Sequence, residues 1–380
     1  MAIAAALLAS GAAIAGCGGA RSNSGARESG STRSASHAAS ERRSHIRQAA
    51  HRGAPVRIPL PRLVGQLIVG RFAGPAPSSS FLARLRAGQL GGVILFGDNT
   101  AAGPQTTRRA ILKMQAAARQ GGNPPLLVMT DQEGGEVRRL PGPPVLPPAA
   151  MGSAAVARGQ GLAAGRLLRS VGINVDLAPV ADVERLPGSF LGTRAFGADP
   201  ALVADRACAF AAGLASTGVA YTLKHFPGLG RAAASTDLRS VAVLAPPAEL
   251  RTDYAAYRRC GASPEALIMI STATYPTLAG AAPAVMTPEI YIQEIPRATG
   301  RARRVTISDT LDSPALATVN APVRHAIDAG LDLALFANAE GDSATAYTRL
   351  LADARRGLVP LARLRAAVEA VEALKRRVAR

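Results

Sequence analysis

A lysine and a histidine stand side by side where an apolar run gives way to a loop. Residues 219–223 have the length and composition of a buried strand, and Lys224 and His225 follow them directly. The next residues, Phe226-Pro227-Gly228, cannot continue a strand, so both side chains are predicted at its C-terminal end. Only three of the 44 basic residues are lysines, which gives the position of Lys224 weight. A strand-end salt bridge explains the pair equally well.

Polar side chains recur at the ends of other predicted strands. They are Asp131, Asp176, Arg194 (in a following loop) and Asp309. If the strands are parallel, these side chains meet at one face of the sheet. Cations donate to sugar hydroxyls, carboxylates accept from them, and one carboxylate can attack an acetal carbon. The set therefore indicates a neutral polyhydroxylated substrate, although any one Asp alone is more often a helix cap or turn residue.

Apolar runs of strand length alternate with helical patterns after a first packed segment at residues 63–70. Strands are predicted at 90–96, 125–130, 172–180, 219–223, 267–272, 304–309 and 331–336. Helices are predicted at 81–86, 106–119, 154–171, 200–217, 321–330 and 360–380. This alternation indicates an α/β fold, a single-domain TIM-like (β/α)8 barrel. A doubly wound open sheet is the alternative, but no G-x-G-x-x-G turn follows an early strand.

The N-terminal part of the chain differs in composition from the rest. Residues 2–15 form an apolar run of signal-peptide length, and Ile14-Ala15-Gly16-Cys17 resembles the lipobox of bacterial lipoproteins. The run lacks a preceding Lys or Arg. We expect a signal peptide at 1–17 with Cys17 lipidated, a disordered basic Ser/Arg/Ala-rich tether at 18–60, and the barrel at 61–380. A frayed apolar terminus is the alternative for the first segment.

The formal net charge of +18 raises the question of a nucleic-acid partner. Aromatic residues are scarce and no helix combines a basic stripe with a recognisable binding motif, so no nucleic-acid partner is expected. An anionic membrane or cell-wall polymer explains the basic tether equally well. Acyl chains at Cys17 together with the tether would anchor the protein at the outer face of the cytoplasmic membrane.

Cysteine and histidine are rare in the predicted barrel. Cys208 and Cys260 could form a disulfide or could be two buried small residues. His225 and His325 are the two histidines there, and no Cys/His cluster has metal-ligand spacing. We therefore expect no zinc site.

Five motifs, taken in order, resemble glycoside hydrolase family 3, and its single-domain β-N-acetylhexosaminidase-like branch in particular. They are Asp131-Gln132-Glu133-Gly134-Gly135 with Arg139, Leu177-Ala178-Pro179-Val180 with Asp182, Arg194 with Phe196-Gly197, Lys224-His225-Phe226-Pro227-Gly228, and Ile307-Ser308-Asp309. The resemblance covers roughly residues 63–375.

The resemblance implies a retaining exo-β-glycosidase that acts in two steps on terminal N-acetylglucosamine-type residues, or a related saccharide derived from peptidoglycan. Asp309 matches the nucleophile. The positions that match the binding site of the first sugar are Asp131, Arg139, Arg194, Lys224 and His225, with Met269 near it. No cofactor is implied, and we expect a monomer.

The chain departs from this branch at the general acid/base. The branch has Gly-His-Gly and then Asp-x-His, where this chain has Gly228-Leu229-Gly230 and Asp237-Leu238-Arg239; a further family histidine is Thr272 here. Arg239 could bind substrate or stabilise charge, but an arginine guanidinium stays protonated at neutral pH and cannot cycle a proton. Three hypotheses remain: an enzyme with Asp237 as acid/base, a non-catalytic saccharide-binding lipoprotein, and an enzyme limited to good leaving groups.

Overall fold

The computed structural model describes residues 58–300 and 303–378. Residues Ile58–Arg380 form one compact unit. The predicted signal peptide with Cys17, and the tether up to residue 57, lie outside the described residues.

Eight parallel strands form one sheet around the centre of this unit. In chain order they are β1 Ile68–Gly70, β2 Gly92–Leu95, β3 Leu127–Thr130, β4 Val175–Asp176, β5 Ala220–Phe226, β6 Ala266–Ile270, β7 Val305–Ser308 and β8 Ala334–Leu335. The sheet order is β7-β6-β5-β4-β3-β2-β1-β8. Ile307 pairs in parallel with Leu333 and Ser308 N–H donates to Leu333 C=O at 2.9 Å, so β7 meets β8. The predicted TIM-like barrel is confirmed.

Helices follow the strands and cover the outside of the sheet. They are α1 Leu60–Gly65, α2 Ser79–Arg86, α3 Gly97–Thr100, α4 Pro104–Gln120, α5 Ala154–Val171, α6 Pro200–Ala215, α7 Pro247–Thr252, α8 Ala255–Cys260, α9 Pro276–Ala279, α10 Ile295–Thr299, α11 Pro322–Ala329, α12 Glu340–Arg355 and α13 Leu361–Val378. Short 3₁₀ helices lie at Pro148–Ala150, Gly192–Arg194, Ala284–Met286 and Pro314–Leu316, and a π-helix at Ile290–Glu294. Two small hairpins pair Gln132–Gly134 with Val137–Arg138 and Thr274–Tyr275 with Gly280–Pro283.

Alternate strand residues fill the barrel interior. Val69, Leu127, Met129 and Leu267 are among its fully buried side chains, as expected for branched and long apolar side chains on inward-facing strand positions. Leu374 of α13 packs against the same cluster. Because α13 covers one end of the barrel interior, the other end, where the strands have their carboxyl ends, is available for a binding site.

Several predicted boundaries change in the structure. The first packed segment divides into α1 and β1, and the runs at 172–180 and 331–336 contribute only two strand residues each. β5 is longer than predicted: it runs through Lys224 and His225 to Phe226, whose carbonyl accepts from Ser271 N–H at 2.9 Å. The pairing register with β6 shifts between Leu223 and Phe226, so the sheet continues past the polar pair.

Cys208 and Cys260 form a disulfide that joins α6 to the end of α8, with 5.7 Å between the two Cα atoms. Of the two alternatives left open by the sequence, the disulfide is therefore correct.

Candidate active site

A cavity of about 430 Å³ lies at the carboxyl ends of the barrel strands. The predicted site residues that line it are Asp131, Arg139, Arg194, Lys224, His225, Asp237, Met269 and Asp309. Arg239 does not line the cavity and is exposed on the loop after Asp237. Asp176 also does not line it. Its neighbours Val175 and Leu177 face the barrel interior, and strand side chains alternate, so Asp176 points away.

Two cations and two carboxylates form a network in the wall of the cavity. Lys224 Nζ lies 2.8 Å from Asp131 Oδ1 and 2.6 Å from Glu133 Oε1. Arg194 donates to both oxygens of Glu133, from Nε and Nη2, at 2.8 Å each. Lys224 is therefore both a strand-end salt bridge and a cavity residue. The two sequence interpretations of this residue are compatible.

Glu133 is a residue that the sequence interpretation left without a role. Its side chain is fully buried. Burial alone would raise the pKa of this carboxyl, but Lys224 and Arg194 outweigh it and lower the pKa to about 2. Glu133 is thus ionised at neutral pH and binds both cations. The available signal was a second carboxylate two residues after Asp131 at the same strand end.

His225 is oriented by Asp182, a second residue without an assigned role in the sequence interpretation. His225 Nδ1 lies 2.6 Å from Asp182 Oδ2. Asp182 Oδ1 also accepts from the backbone N–H groups of His225, at 3.2 Å, and Leu229, at 2.7 Å. A carboxylate on Nδ1 favours the proton there and directs Nε2 to the ligand. Asp182 therefore fixes both the imidazole and the loop that follows β5.

Asp309 lies half-buried immediately after β7, and its Oδ1 accepts from Thr310 N–H at 2.8 Å. Burial raises the pKa of Asp309, and the nearby Asp237 carboxylate raises it further, while His225 and Lys224 oppose the shift. Asp309 and Asp237 are thus close enough to interact electrostatically across the cavity. Behind the wall, burial raises the pKa of Asp176 to about 8.

The loop that carries Asp237 is anchored at its start and exposed at its end. A Cβ on Gly230 would lie 1.7 Å from the carbonyl oxygen of Val183, so only glycine fits this approach. Tyr275 OH donates to Gly228 C=O at 3.0 Å. Asp237 itself is exposed, and its one side-chain hydrogen bond within the described chain is with Ser235 Oγ at 3.2 Å.

Arg139 also lines the cavity. Its Cζ lies 5.5 Å from the ring centroid of Phe96, a cation–π distance. Its buried Nε has no hydrogen-bond partner among the residues that the structure describes. A buried donor without a partner favours an oxygen-bearing ligand at this position.

The described part of the chain contains no group of three or more His, Cys, Asp or Glu residues that could hold a metal ion. Among the same residues, no helix is long and apolar enough to cross a membrane.

The sequence matches the family described as "Glycosyl hydrolase family 3 N terminal domain" over residues 60–374. The chain belongs to glycosyl hydrolase family 3. This confirms the predicted family and the predicted class of enzyme, a glycoside hydrolase.

Relatives within family 3 include secreted and hexosaminidase members. The chain is 29% identical to a secreted glycosyl hydrolase of Arthroderma benhamiae, covering 83% of this chain and 92% of that one. It is 31% identical to the β-hexosaminidase LpqI of Mycobacterium tuberculosis, covering 65% and 67%.

The fold is also similar to a solved structure, the family 3 β-N-acetylglucosaminidase from Paenibacillus sp. FPU-7. The TM-score is 0.79 at 28% identity, covering 85% of this chain. The present chain spans 63% of the Paenibacillus chain. The shared part is the barrel.

Proposed function

We propose that this chain is a retaining exo-β-N-acetylhexosaminidase that removes terminal N-acetylglucosamine-type residues from a saccharide. The observation that carries the proposal is the cavity in which Asp309 lies with the Lys224–Glu133–Arg194 network and His225. The names of two relatives, a β-hexosaminidase and a β-N-acetylglucosaminidase, support the choice of sugar.

The polar walls of the cavity suit the hydroxyls of one terminal sugar. Asp131 accepts from hydroxyl groups, and Lys224, Arg194, Arg139 and the Nε2 of His225 face ligand oxygens. Met269 offers apolar contact from β6. A volume of about 430 Å³ accommodates a sugar ring together with part of its aglycone.

Asp309 is proposed as the nucleophile. Its carboxylate forms a bond to the anomeric carbon as the bond to the aglycone oxygen breaks, and the leaving oxygen takes a proton from an acid. Water then attacks the anomeric carbon and gives a proton to the same group acting as base, while the bond from that carbon to Asp309 breaks and the carboxylate leaves. Asp309 must be ionised to attack. Because its pKa is raised, activity should be lost on acidification at a higher pH than it would be with an ordinary Asp.

Asp237 is proposed as that acid/base, by comparison with the other carboxyls that line the cavity. Asp131 and Glu133 are held by Lys224 or Arg194, and carboxylates paired with cations donate protons poorly. Asp237 makes no ion pair with a described residue, and it is near enough to Asp309 to affect that group's pKa. Arg239, being outside the cavity, does not pair with it there.

A non-catalytic saccharide-binding protein is the second candidate, because Asp237 is exposed and the neighbouring Leu238 is 75% exposed. Proton transfer needs a carboxyl in a fixed position, and an exposed loop holds Asp237 by few contacts. An enzyme limited to good leaving groups lies between the two candidates.

A pair of aryl N-acetyl-β-glucosaminides, one with an activated leaving group and one without, tests these candidates. We expect hydrolysis of both by the wild type and loss of both in Asp309→Asn. Asp237→Asn is expected to lose the unactivated substrate far more than the activated one, with rescue of the activated one by azide. Hydrolysis of neither, together with measurable binding of N-acetylglucosamine, would establish the saccharide-binding protein instead.

Export and lipid anchoring at Cys17 are part of the same proposal. A disulfide persists in oxidising compartments outside the cytoplasm, which supports export. The Arthroderma relative is named as secreted. An exported enzyme of this kind would meet peptidoglycan-derived saccharides, and we expect it to act as a monomer.

A further inference from the structure

A groove lined by four arginines lies on the outer face of the barrel, between the start of α11 and the C-terminal part of α12. Its volume is about 660 Å³. The arginines are Arg324, Arg349, Arg355 and Arg356, and the remaining lining includes Ala321, Ala352 and Leu358. We propose that this arginine groove binds an anionic polymer with repeating phosphodiester groups. The groove is separate from the cavity of the candidate active site, called the sugar cavity below.

The charge of the arginine groove is only partly neutralised. Asp353 is the carboxylate among its lining residues; Arg356 Nη2 lies 2.5 Å from Asp353 Oδ1, and Arg324 Nε lies 3.7 Å from Asp353 Oδ2. Arg349 and Arg355 are exposed and make no ion pair or hydrogen bond with any residue in the described ranges. Two guanidinium groups in a concave surface are therefore available to an external anion.

The arginine side chain and the shape of the groove favour a phosphodiester chain. A guanidinium presents a planar set of donors that matches two phosphate oxygens at once, whereas a lysine offers a point charge. All four basic residues of the groove are arginines. A concave groove follows an extended chain, while a bilayer surface needs a flat or convex face with apolar residues directed outward.

The position of the groove relates it to the candidate active site. A smaller recess of about 190 Å³ shares Arg324, Arg349 and Asp353 with the groove and is also lined by Asp312. Asp312 accepts from Asn338 N–H at 2.9 Å, and Asn338 lines the sugar cavity. A polymer in the groove would therefore keep the enzyme on an anionic surface without occupying the cavity.

Binding of the full chain to poly(glycerol phosphate), measured by calorimetry at low salt, tests this proposal. The variant Arg349→Gln/Arg355→Gln is compared with Arg158→Gln/Arg365→Gln. The control arginines are likewise exposed, make no ion pair with a described residue and are absent from the groove lining, so both variants lose the same charge. The basic N-terminal segment is present in every sample.

We expect the groove variant to bind the polymer about tenfold more weakly than the wild type, and the control to bind within about twofold. Added salt should reduce the difference between the two variants. Hydrolysis of the aryl substrate should be unchanged in both. This separates the groove from the proposed catalytic function, which fails only if hydrolysis by the wild type is absent.

Three outcomes would overturn the proposal. Equal losses in the two variants would show attraction by net charge alone. Equally tight, groove-dependent binding of poly-glutamate would show that phosphodiesters are not the preferred anion. Dependence on Arg349 and Arg355 for vesicles of phosphatidylcholine with phosphatidylglycerol, but not for the polymer, would make the groove a membrane contact.

Discussion

At the residue scale, Glu133 joins the two cations of the candidate site. It accepts from Arg194 through both oxygens and lies 2.6 Å from Lys224 Nζ. Lys224 also contacts Asp131, whereas Arg194 has no other carboxylate partner among the described residues. The geometry of the sugar-facing donors therefore depends on a side chain that is itself fully buried.

We predict that Glu133→Gln lowers kcat/KM for an aryl N-acetylglucosaminide by about 100-fold, because a neutral amide no longer holds both cations. Glu136→Gln is the matched control, since Glu136 is exposed in the turn of the same hairpin. Steady-state kinetics of both variants would contradict the prediction if they were equal.

The effect of Glu133→Gln on stability should depend on pH. The pKa of Glu133 is lowered to about 2 from 4.5, so its contribution is present above pH 4.5 and is lost as the pH falls toward 2. At pH 7 the wild type is expected to be more stable than Glu133→Gln by about 3 kcal/mol of unfolding free energy. This difference should shrink as the pH falls from 4.5 toward 2. Urea unfolding at a series of pH values measures it.

At the element scale, β5 supports one end of the barrel and α13 covers the other. β5 extends to Phe226, whose ring packs at 5.0 Å from the rings of Tyr254 and Tyr257. This aromatic packing supports the strand end that carries Lys224 and His225. α13 covers the opposite end and places Lys375, 3% exposed, against Gln66, with 2.6 Å between Lys375 Nζ and Gln66 Oε1.

Burial lowers the pKa of Lys375 from 10.5 to about 7. Between these values the folded chain binds fewer protons than the unfolded chain, so stability rises with pH, and below pH 7 the cost of the buried charge is complete. We predict that Lys375→Met is more stable than the wild type by about 2 kcal/mol at pH 7, with Gln66 losing its partner. The gain should fall as the pH approaches 10.5.

The control for this prediction is Arg365→Met on an exposed position of α13, which should show no such pH dependence. Thermal melts between pH 6 and pH 10 distinguish the two variants. A Lys375→Met variant less stable than the wild type at every pH would show that the ammonium–amide hydrogen bond outweighs the burial of the charge.

The disulfide between α6 and α8 also acts at the element scale, since it closes a segment with a sequence separation of 52 that contains all of β5. Chain entropy alone gives it about 4 kcal/mol of stability. Dithiothreitol should lower the urea midpoint of the wild type and leave that of Cys208→Ala/Cys260→Ala unchanged. A wild type insensitive to reductant would contradict the prediction.

At the scale of the whole molecule, the parallel barrel brings together groups that are more than 170 residues apart in sequence, such as Asp131 and Asp309. All eight strand ends open on one face, so a cavity forms there without a dedicated domain. We propose that the basic excess and the predicted N-terminal anchor determine where the enzyme is held, and not the chemistry in the cavity.

We predict that Cys17→Ala moves the protein from the membrane fraction to the soluble fraction of cells that process lipoproteins, because the acyl chains would no longer attach. Immunoblots of the two fractions measure this. Cys208→Ala/Cys260→Ala is the control, since it also removes cysteine but keeps Cys17. A Cys17→Ala protein that stayed in the membrane fraction would refute lipid anchoring at this position.

The amino-acid sequence alone was enough to predict the barrel, the family and the strand-end residues Asp131, Lys224, His225 and Asp309. Their strands are apolar runs bounded by turn residues, and parallel strands place their ends together whatever the details of packing. The extension of β5 could not be predicted in this way, because Lys224 and His225 are polar and their burial depends on partners elsewhere in the chain.

Those partners are what the tertiary structure decided. Glu133 and Asp182 obtain their roles only because β3, β4 and β5 are neighbours in the sheet, which brings Glu133 to Lys224 and Asp182 to His225. The same packing turned Asp176 away from the cavity and left Arg239 exposed. Residue types and local spacing specify which groups are available for chemistry, whereas side-chain direction and ion pairing depend on contacts between distant segments.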